Sequence, residues 1–560
     1  MKTLKRVFLI CGTLPFMLSC TDSVIDSYIE SVGGNVEGGT STDGVRTLET
    51  YDWPTEEGQA KISEHYKIYV SLDGEEETEI EVLQSDPIVE KLLVNGNYDE
   101  DYHASYTKQR TFSFVPISYD DSKGKKLNIR VESLDGFTNP VLSPKSYNIT
   151  PNASGSSISF SVDKSSRYIC VNFDCQQNIV NHPQAHDGWI KHMLMIYVDP
   201  AETLKPNPSR QKIVYYSDDL QDADIANAQV LYFKPGYYNL KNFKNKGNTI
   251  NEHGGLTLTS NQQLYIAGGA FVEGYILRKN FSDENQMYYG RGILSGRQYV
   301  WQPDDPNRLM GQLVMGARYS TFDGIIVMES PNHGIVTTDE CVFRNVKFLG
   351  WHCNNDGFRP GNNSKISNCF LRACDDFFYN YSLEVKDCVL WPCFNGSIMT
   401  NGWAAIDIGG SLMENIDIIY TEWTGFGANK GLIMSQNNYE YNPPLGSQTT
   451  VFRNIRIEGY VPGFVNLKAQ NGVPQLEDAS LLGWMGNILL ENISIDEHAD
   501  EPNNLIKGGK PAVVGDPNSI WWIKDVTLRN VTIGGVKVTD ENKSKWFTID
   551  KNTTQNIVFE

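Results

Sequence analysis

The chain has few positive charges and, beyond its first 20 residues, no long apolar run. Its 48 Lys and Arg face 68 Asp and Glu, which gives a formal net charge of −20 over 560 residues. A nucleic acid or an anionic membrane surface needs clustered Lys and Arg, so neither is expected as the main partner. After residue 20 no run reaches the ~18 apolar residues that a membrane-spanning helix needs. The hydrophobic content of 40% still suffices for a large core, which excludes wholesale disorder.

Cysteine motifs typical of structural zinc are also absent. Six of the ten cysteines crowd into residues 341–393, without CxxC spacing and without a histidine pair beside them. Cys369 and Cys388 are 19 residues apart, as are Cys374 and Cys393. We predict no metal site and no cofactor, and we expect these thiols to be free and buried in interior rows. Disulfides are the alternative in an exported protein.

The amino terminus carries an export signal. It reads MKTLKRVFLICGTLPFMLSC, a basic start followed by a short apolar stretch. The ending Leu18-Ser19-Cys20 resembles a bacterial lipobox, so we expect residues 1–19 to be a lipoprotein signal peptide and Cys20 to be lipidated. An ordinary signal peptide with a chance cysteine is the alternative. Residues 20–50 are polar and Gly-rich and predict a flexible tether. The expected product is a monomer anchored in a bacterial cell envelope, facing either the periplasm or the outside.

Residues 51–213 are predicted to form a β-sandwich. Short alternating segments lie between turn signals, as in a sheet with one buried side. The segments are KIYVSL (67–72), TEIEVL (78–83), TFSFVPI (111–117), LNIRVES (127–133), SISFSV (157–162), YICVNF (168–173) and HMLMIYV (192–198). The Pro-rich segment 199–210 indicates the boundary with the next domain.

Residues 214–560 contain an internal repeat. Eight units share the pattern apolar–x–x–Asn/Asp–apolar–x–apolar, with polar anchors at Asp323, Asn345, Asn368, Asp387, Asn415, Asn454, Asn492 and Asn530. The anchors are 22, 23, 19, 28, 39, 38 and 38 residues apart. A period near 19–23 that doubles near 38 is typical of coils stacked on coils. The chain is therefore predicted to be all-β, with a right-handed, single-stranded parallel β-helix after the sandwich. An Asn or Asp at one corner should bond the next coil.

The same spacing brings carboxylates together. Asp356, in Asn354-Asn355-Asp356-Gly357, precedes Asp375 by 19 residues, and Asp376 follows directly. Three acids at one place on the surface of the predicted β-helix repel one another, and this repulsion holds one of them protonated. Inverting glycoside hydrolysis needs such a set: an acid for the leaving oxygen and a base that activates water. The alternative is that these aspartates only form turns, since Asp-Gly is a common turn pair.

Several segments resemble glycoside hydrolase family 49, the dextranases and isopullulanase, within the polygalacturonase-like β-helix clan. They are LYFKPGYYNL (231–240), LTLTSNQQLYIAGGAFVEGYI (256–276), GRGILSGRQYV (290–300), NNDGF (354–358), CDDFFYNY (374–381), VLWPCFNGSIMTNGW (389–403) and IDIIYTEW (416–423). The resemblance implies an endo-acting, inverting hydrolase of an α-glucan. It also implies that Asp375 is the general acid and that Asp356 and Asp376 activate water. The family has a lysine where this chain has Tyr379, and another after the tryptophan, where this chain has Pro392.

Five residues are candidate contacts to the sugar. An indole can stack on a sugar face, and Trp403 lies in an Asn-Gly-Trp that matches the family's Gly-Trp, although packing is the alternative role of any tryptophan. Asn395, 20 residues after Asp375, could donate to a sugar hydroxyl or serve as a ladder asparagine. The complete set of candidate sugar contacts is Trp403, Asn395, Trp391, Tyr379 and Arg359.

Four other functions remain open from the sequence, and the first is a hydrolase on the same fold that cleaves a different glycan. A polygalacturonase-like pectin hydrolase would need a histidine after the acids, whereas His333 precedes them. A polysaccharide lyase on the same fold would need a base and a cation to neutralise a uronate. In a non-catalytic glycan-binding lipoprotein the aspartates would be structural.

Overall fold

A computed structural model describes most of the chain from residue 47 onward. The described residues are 47–88, 92–94, 97–99, 109–137, 139–174, 178–181, 185–299, 312–352, 354–393, 395–401, 409–423, 429–435, 448–468 and 475–560. The predictions for the signal peptide, for Cys20 and for Trp403 lie outside this part of the chain. The described residues belong to one unit by their internal contacts.

The amino-terminal part is a sandwich of two sheets. The first sheet contains Leu48–Glu49, Lys61–Ile62, Leu83–Gln84, Thr111–Tyr119, Asn139–Ser143, Arg167–Asp174 and His192–Pro200. The second sheet contains Tyr66–Leu72, Thr78–Ile80, Leu127–Ser133, Asn152–Ser154 and Ser157–Val162. Two short hairpins pair Leu92–Val94 with Asn97–Asp99 and Ile179–Val180 with Trp189–Ile190. Alternating apolar side chains such as Ile68, Ile129 and Ile196 fill the space between the sheets, which confirms the predicted β-sandwich.

The remainder of the chain winds through three parallel faces, and the predicted parallel β-helix is confirmed. Face one contains Ile213–Tyr215, Val230–Phe233, Gln263–Ile266, Met287–Gly290, Thr321–Asp323, Val342–Arg344, Lys365–Ser367 and Glu384–Lys386. Face two contains Gly236–Asn239, Ala270–Glu273, Ile293–Ser295, Ile326–Met328, Lys347–Leu349, Phe370–Ala373 and Val389–Pro392. Later strands join these faces, namely Leu412–Ile418, Thr450–Val461, Trp484–His498, Trp522–Ile533, Val536–Lys537 and Thr554–Phe559.

Face three closes each coil. Its first part contains Gly255–Leu258, Tyr275–Arg278, Val314–Met315, Ile335–Val336 and Phe358–Arg359. Its second part contains Met399–Asn401, Ile433–Ser435, Val465–Lys468, Asn504–Lys507 and Phe547–Ile549. The pairing of Phe370 with Val389 in parallel register realises the 19-residue coil that the sequence indicates.

The corners between faces one and two explain the repeated polar anchors. Most of these anchors have left-handed backbone, for example Asn345 at φ 54° and Asn368 at φ 49°, a conformation that Asn and Asp adopt more readily than other residues with a side chain. The amide of Asn530 donates to Asn492 at 2.8 Å, and that of Asn492 donates to Asn454 at 3.1 Å. The corner ladder therefore turns the chain and also joins successive coils.

Stacked apolar side chains fill the interior of the β-helix. Tyr288, Phe322 and Phe343, on successive strands of face one, form a row of parallel rings whose centroids are 4.5 and 4.6 Å apart. These distances match the spacing of neighbouring strands, because equivalent residues of successive coils lie one strand apart.

The outer side of face two is also apolar, because the first sheet of the sandwich covers it. Phe112 of the sandwich lies 6.2 Å from Trp391 and 6.4 Å from Trp351, ring centroid to ring centroid. Inside this layer Glu422 binds Arg110 of the sandwich at 2.6 Å and Arg372 of face two at 2.8 Å. Both sides of face two are thus buried, as is usual for parallel strands.

The described cysteines are buried free thiols that occupy two different layers. Cys369 and Cys388 lie in the interior of the β-helix, as the sequence predicts. Cys374 and Cys393 lie instead in the layer between face two and the sandwich, so the prediction of an interior row is wrong for this pair. A spacing of one coil shows that two residues stack, but not toward which side they point.

Helices are few and short in the described residues. The α-helix is Asp222–Ala226, and the 3₁₀ helices are Asp121–Lys123, Lys145–Tyr147, Leu240–Asn242, Ala479–Leu481 and Lys543–Lys545. Within the described part, no helix has the length and hydropathy that crossing a membrane requires.

Candidate active site

The three aspartates lie in the turns that connect face two to face three. Asp356 precedes Phe358–Arg359 in one coil, and Asp375 and Asp376 follow Phe370–Ala373 in the next. The structure therefore brings the predicted acids together at one point of the wall. The reason is the shared position of these turns after equivalent strands of successive coils.

The backbone hydrogen bonds define the register at this point. The Gly357 amide donates to the Asp376 carbonyl at 3.1 Å, and the Gly334 amide donates to the Asp356 carbonyl at 2.9 Å. His333, Asp356 and Asp376 consequently occupy successive levels of one row. Asp356 stacks on the second aspartate of the pair, one residue beyond the position that the 19-residue spacing indicates.

The Asp-Gly pair is not a conventional glycine turn here. Gly357 lacks the positive φ for which glycine is usually required in turns. A Cβ atom at this position would lie 2.8 Å from Cδ2 of Leu371, so close packing requires the glycine. The packing presses the turn that bears Asp356 against the following coil.

Asp375 is half-buried and has the features of a proton donor. One of its carboxylate oxygens accepts hydrogen bonds from the side-chain amide of Asn395 at 2.8 Å and from the backbone amide of Asp376 at 3.0 Å. Burial, followed by the negative charges of Asp376 and Asp356, raises its pKa well above the ordinary value. Asp375 therefore tends to keep its proton near neutral pH.

Asp376 is buried and titrates near neutrality. Burial and the charge of Asp356 raise the pKa of Asp376 to about 7, against hydrogen bonds that include one from Asn429. The Asn429 side-chain amide donates to Asp376 at 2.8 Å, and its backbone amide donates to Asn395 at 3.0 Å. Two asparagines thus connect the Asp376 carboxyl to the Asp375 carboxyl.

Asp356 has close neighbours on two sides. The Tyr379 hydroxyl donates to its Oδ2 atom at 2.5 Å, and His333 Nδ1 lies 2.9 Å from the same oxygen without hydrogen-bond geometry. The side chain of Asp356 is only 3% exposed. The hydrogen bond from Tyr379 fixes the direction of this carboxylate.

The other predicted sugar contacts differ in where the structure places them. Trp391 is fully buried against Phe112 and Tyr420 in the layer under the sandwich. An indole without an exposed face cannot stack on a sugar, so that prediction is corrected: Trp391 is a packing residue. Tyr379 is also buried, and its hydroxyl donates a hydrogen bond to Asp356 instead of facing outward from the β-helix. Half-buried Arg359 lies over the Tyr379 ring, 4.8 Å from its centroid.

The structure adds two residues that sequence reasoning missed. His333 precedes Asp356 by 23 residues, about one coil, and this spacing is the signal that identifies it as a neighbour. Asn429 carries no comparable signal, because it lies between two repeat units and outside their pattern. Asn395 is located beside Asp375, as its spacing suggests, and Trp403 lies outside the described residues.

The arrangement supports acid–base chemistry. One carboxyl group has a raised pKa, a neighbouring one titrates near neutrality, and a tyrosine holds the third. Together they can divide the tasks of donating and accepting a proton.

Known proteins share both the sequence pattern and the fold. No family model matches the chain. The chain is 21% identical over 505 residues to an isopullulanase of Aspergillus niger, across 82% of this chain and 84% of that protein. It is 25% identical over 405 residues to a dextranase of Arthrobacter globiformis, across 64% of this chain and 60% of that protein.

A solved structure has the same fold. Dex49A from Penicillium minioluteum superposes with a TM-score of 0.70 at 18% identity, over 91% of this chain and 96% of that one. The predicted resemblance to glycoside hydrolase family 49 is confirmed by these relatives. The curated relatives also confirm the predicted enzyme class, a glycoside hydrolase.

Proposed function

We propose that this glycoside hydrolase cleaves an α-glucan of the dextran or pullulan type with inversion of configuration. The observation that carries the proposal is the row of three aspartates, in which Asp375 lies beside Asp376 and Asp356 stacks on Asp376. The names of the relatives, isopullulanase and dextranase, support the choice of an α-glucan.

The roles follow from the environment of each carboxyl group. Asp375 donates its proton to the glycosidic oxygen while the bond from this oxygen to the anomeric carbon breaks. Asp356 and Asp376 orient a water molecule and take its proton as its oxygen bonds to the opposite face of the same carbon. The products are a chain with a free hydroxyl and a sugar with an inverted anomeric centre, and exchange with solvent restores the protons.

The products of a substrate panel test this function. The enzyme is incubated with dextran, pullulan, β-glycans and pectins, and proton NMR follows the anomeric signals of the first products. We expect an α-glucan to give the β-anomer first. The α-anomer would contradict inversion, a product that absorbs in the near ultraviolet would indicate a lyase, and no release from any glycan would leave only glycan binding.

A bell-shaped pH profile is the expected kinetic signature. Because burial and Asp356 raise the pKa of Asp376 to about 7, kcat/KM should rise with pH through this region as Asp376 ionises. At higher pH it should fall as Asp375 loses the proton that its raised pKa retains. A profile that declines steadily from acidic pH upward would contradict these two roles.

Tyr379→Phe provides a matched variant for the acidic side of the profile. The hydroxyl bonds Asp356 and also lowers the pKa of Asp376, so its removal should move the acidic limb to higher pH. The loss of one hydrogen bond to a charged group, ~1.5 kcal/mol, corresponds to a decrease of about tenfold in kcat/KM. If the limb stayed in place, Tyr379 would have only a packing role.

We also propose that the enzyme acts as a monomer tethered by a lipid on Cys20 in a bacterial cell envelope. The lipobox-like ending of the signal and the Gly-rich segment that follows support this location. Labelling with a radioactive fatty acid tests the anchor, and a Cys20→Ser variant that retained the label would refute it.

A further inference from the structure

Three polar side chains meet at one end of the β-sandwich, outside the row of aspartates. His65 immediately precedes the strand Tyr66–Leu72, and Asp135 follows the neighbouring strand Leu127–Ser133 of the same sheet. His192 begins a strand of the opposite sheet. Residues from both sheets of the sandwich therefore converge on one point.

Their nitrogen and oxygen atoms are close enough to share an ion. One ligand atom of each residue lies within 4.8 Å of the other two. His65 Nδ1 is 2.7 Å from Asp135 Oδ2. The rings of His65 and His192 are stacked with centroids 3.5 Å apart and planes inclined by 21°.

His192 is anchored by its neighbours. Its Nδ1 lies 2.9 Å from the Thr111 hydroxyl, and its backbone amide donates to Asn178 at 2.8 Å. When Nδ1 donates to Thr111, the unprotonated Nε2 keeps the lone pair that a metal ion requires.

We propose that His65, Asp135 and His192 form a binding site for a divalent transition-metal ion, with zinc as the best match. Two imidazoles and one carboxylate suit zinc, which completes its coordination with water, whereas calcium and magnesium prefer sets of oxygen ligands. A cavity of about 190 Å³ adjoins Asp135 and His192 and has room for that water. The sequence does not indicate the site because its residues come from three separate segments.

Capture of the ion requires a small rearrangement. The lone pair of an imidazole nitrogen lies in the plane of the ring, so two stacked rings cannot both point at one ion. His192 is held by Thr111 and Asn178, whereas the Asp135 side chain is 49% exposed and the His65 side chain 16% exposed. The metal therefore turns the His65 ring and the Asp135 carboxylate toward a fixed His192.

The bound ion would link the two sheets of the sandwich. Two of its ligands flank paired strands of the second sheet, and the third belongs to the first sheet. An ion that binds the folded chain and not the unfolded chain stabilises the fold by mass action. We expect a saturating zinc concentration to raise the melting temperature by several degrees.

Titration with zinc chloride, on the chain without a histidine tag, tests the site. Calorimetry should show one equivalent bound with a dissociation constant in the micromolar range or below, and millimolar magnesium should not compete. His65→Gln and Asp135→Asn, at positions exposed enough to tolerate the change, should each weaken binding at least tenfold and remove the rise in melting temperature. The absence of zinc binding would overturn the proposal.

His186→Gln provides the matched control. His186 Nδ1 also lies 2.8 Å from a carboxylate, that of Asp187, but it belongs to none of the three-residue clusters suited to a metal among the described residues. Zinc binding should remain unchanged in this variant. If His186→Gln weakened binding as much as His65→Gln does, the ion would bind elsewhere and the proposed site would be refuted.

Discussion

Asp375→Asn is expected to lower kcat for glycan hydrolysis about 10²- to 10⁴-fold, the usual contribution of a general acid. The amide has nearly the shape of the carboxyl group but cannot supply a proton to the leaving oxygen. The side chain of Asn395 and the backbone of Asp376 surround this position and can hold an amide in its place. The release of reducing ends, measured on the glycan that the native enzyme cleaves best, gives the result.

Asp387→Asn is the matched control for this loss. Asp387 is a corner residue with φ 54°, and its carboxylate accepts a hydrogen bond from Asn415. Asparagine occupies the equivalent corner at Asn492 and Asn530, so the change preserves the ladder. This variant should hydrolyse glycan at the native rate. Unchanged activity in Asp375→Asn would refute its role as the acid and would favour a structural role for the aspartates.

Glu422→Gln is expected to lower the free energy of unfolding by about 3–5 kcal/mol. The carboxylate lies between the guanidinium groups of Arg110 and Arg372, whose side chains are both 0% exposed. Removing its charge leaves two positive charges buried between sandwich and β-helix without their acid. Arg372 is three residues before Asp375, so the loss should also reduce activity near the melting temperature. Denaturant and thermal unfolding measure the effect.

An exposed ion pair between the same two domains provides the comparison. Lys145 of the sandwich binds Asp496 of the β-helix at 2.6 Å, with side chains 61% and 45% exposed. Because water screens this pair, Asp496→Asn should cost less than ~1 kcal/mol. Equal losses in the two variants would show that burial does not determine the strength of the contact.

Glu422 also predicts how stability depends on pH. Burial alone would raise its pKa, but Arg110 and Arg372 outweigh burial and lower the pKa below the ordinary value. A lowered pKa means that the stabilisation is complete above the pKa of the unfolded chain. It is lost as pH falls through the lower pKa of the folded protein. Glu422→Gln should therefore reduce the acid sensitivity of the fold.

The β-helix could be predicted because its repeat is local and recurs many times. Each coil places an Asn or Asp at a corner with left-handed backbone, and the spacing of these anchors is visible in the chain. The sandwich could be predicted for a similar reason, since strands with one buried side alternate between apolar and polar residues. The period shows which residues stack on one another. The fold can therefore be predicted from the local repeat, before any contact between distant residues is known.

The same dependence on periodicity made the candidate site only partly predictable. Asp356 precedes the adjacent pair Asp375 and Asp376 by about one coil, so the meeting of the three follows from the period. The period does not show which side of a strand a neighbouring domain covers. Trp391 is a candidate sugar contact by its sequence, yet the sandwich lies over it. Asn429 lies outside the repeat and reaches Asp376 through the fold alone.

The order of sandwich and β-helix, the stacking of coils and the convergence of three carboxylates can all be read from the chain, because they depend on spacing along it. The surroundings of those carboxylates and the contribution of the sandwich emerge only in the folded molecule. Tyr379 holds Asp356, His333 lies beside the same carboxylate, and two asparagines join Asp375 to Asp376, through contacts between different coils. The cluster of His65, Asp135 and His192 likewise exists only where two sheets meet. Side-chain direction and the covering of one surface by another are properties of packing, and no period along the chain contains them.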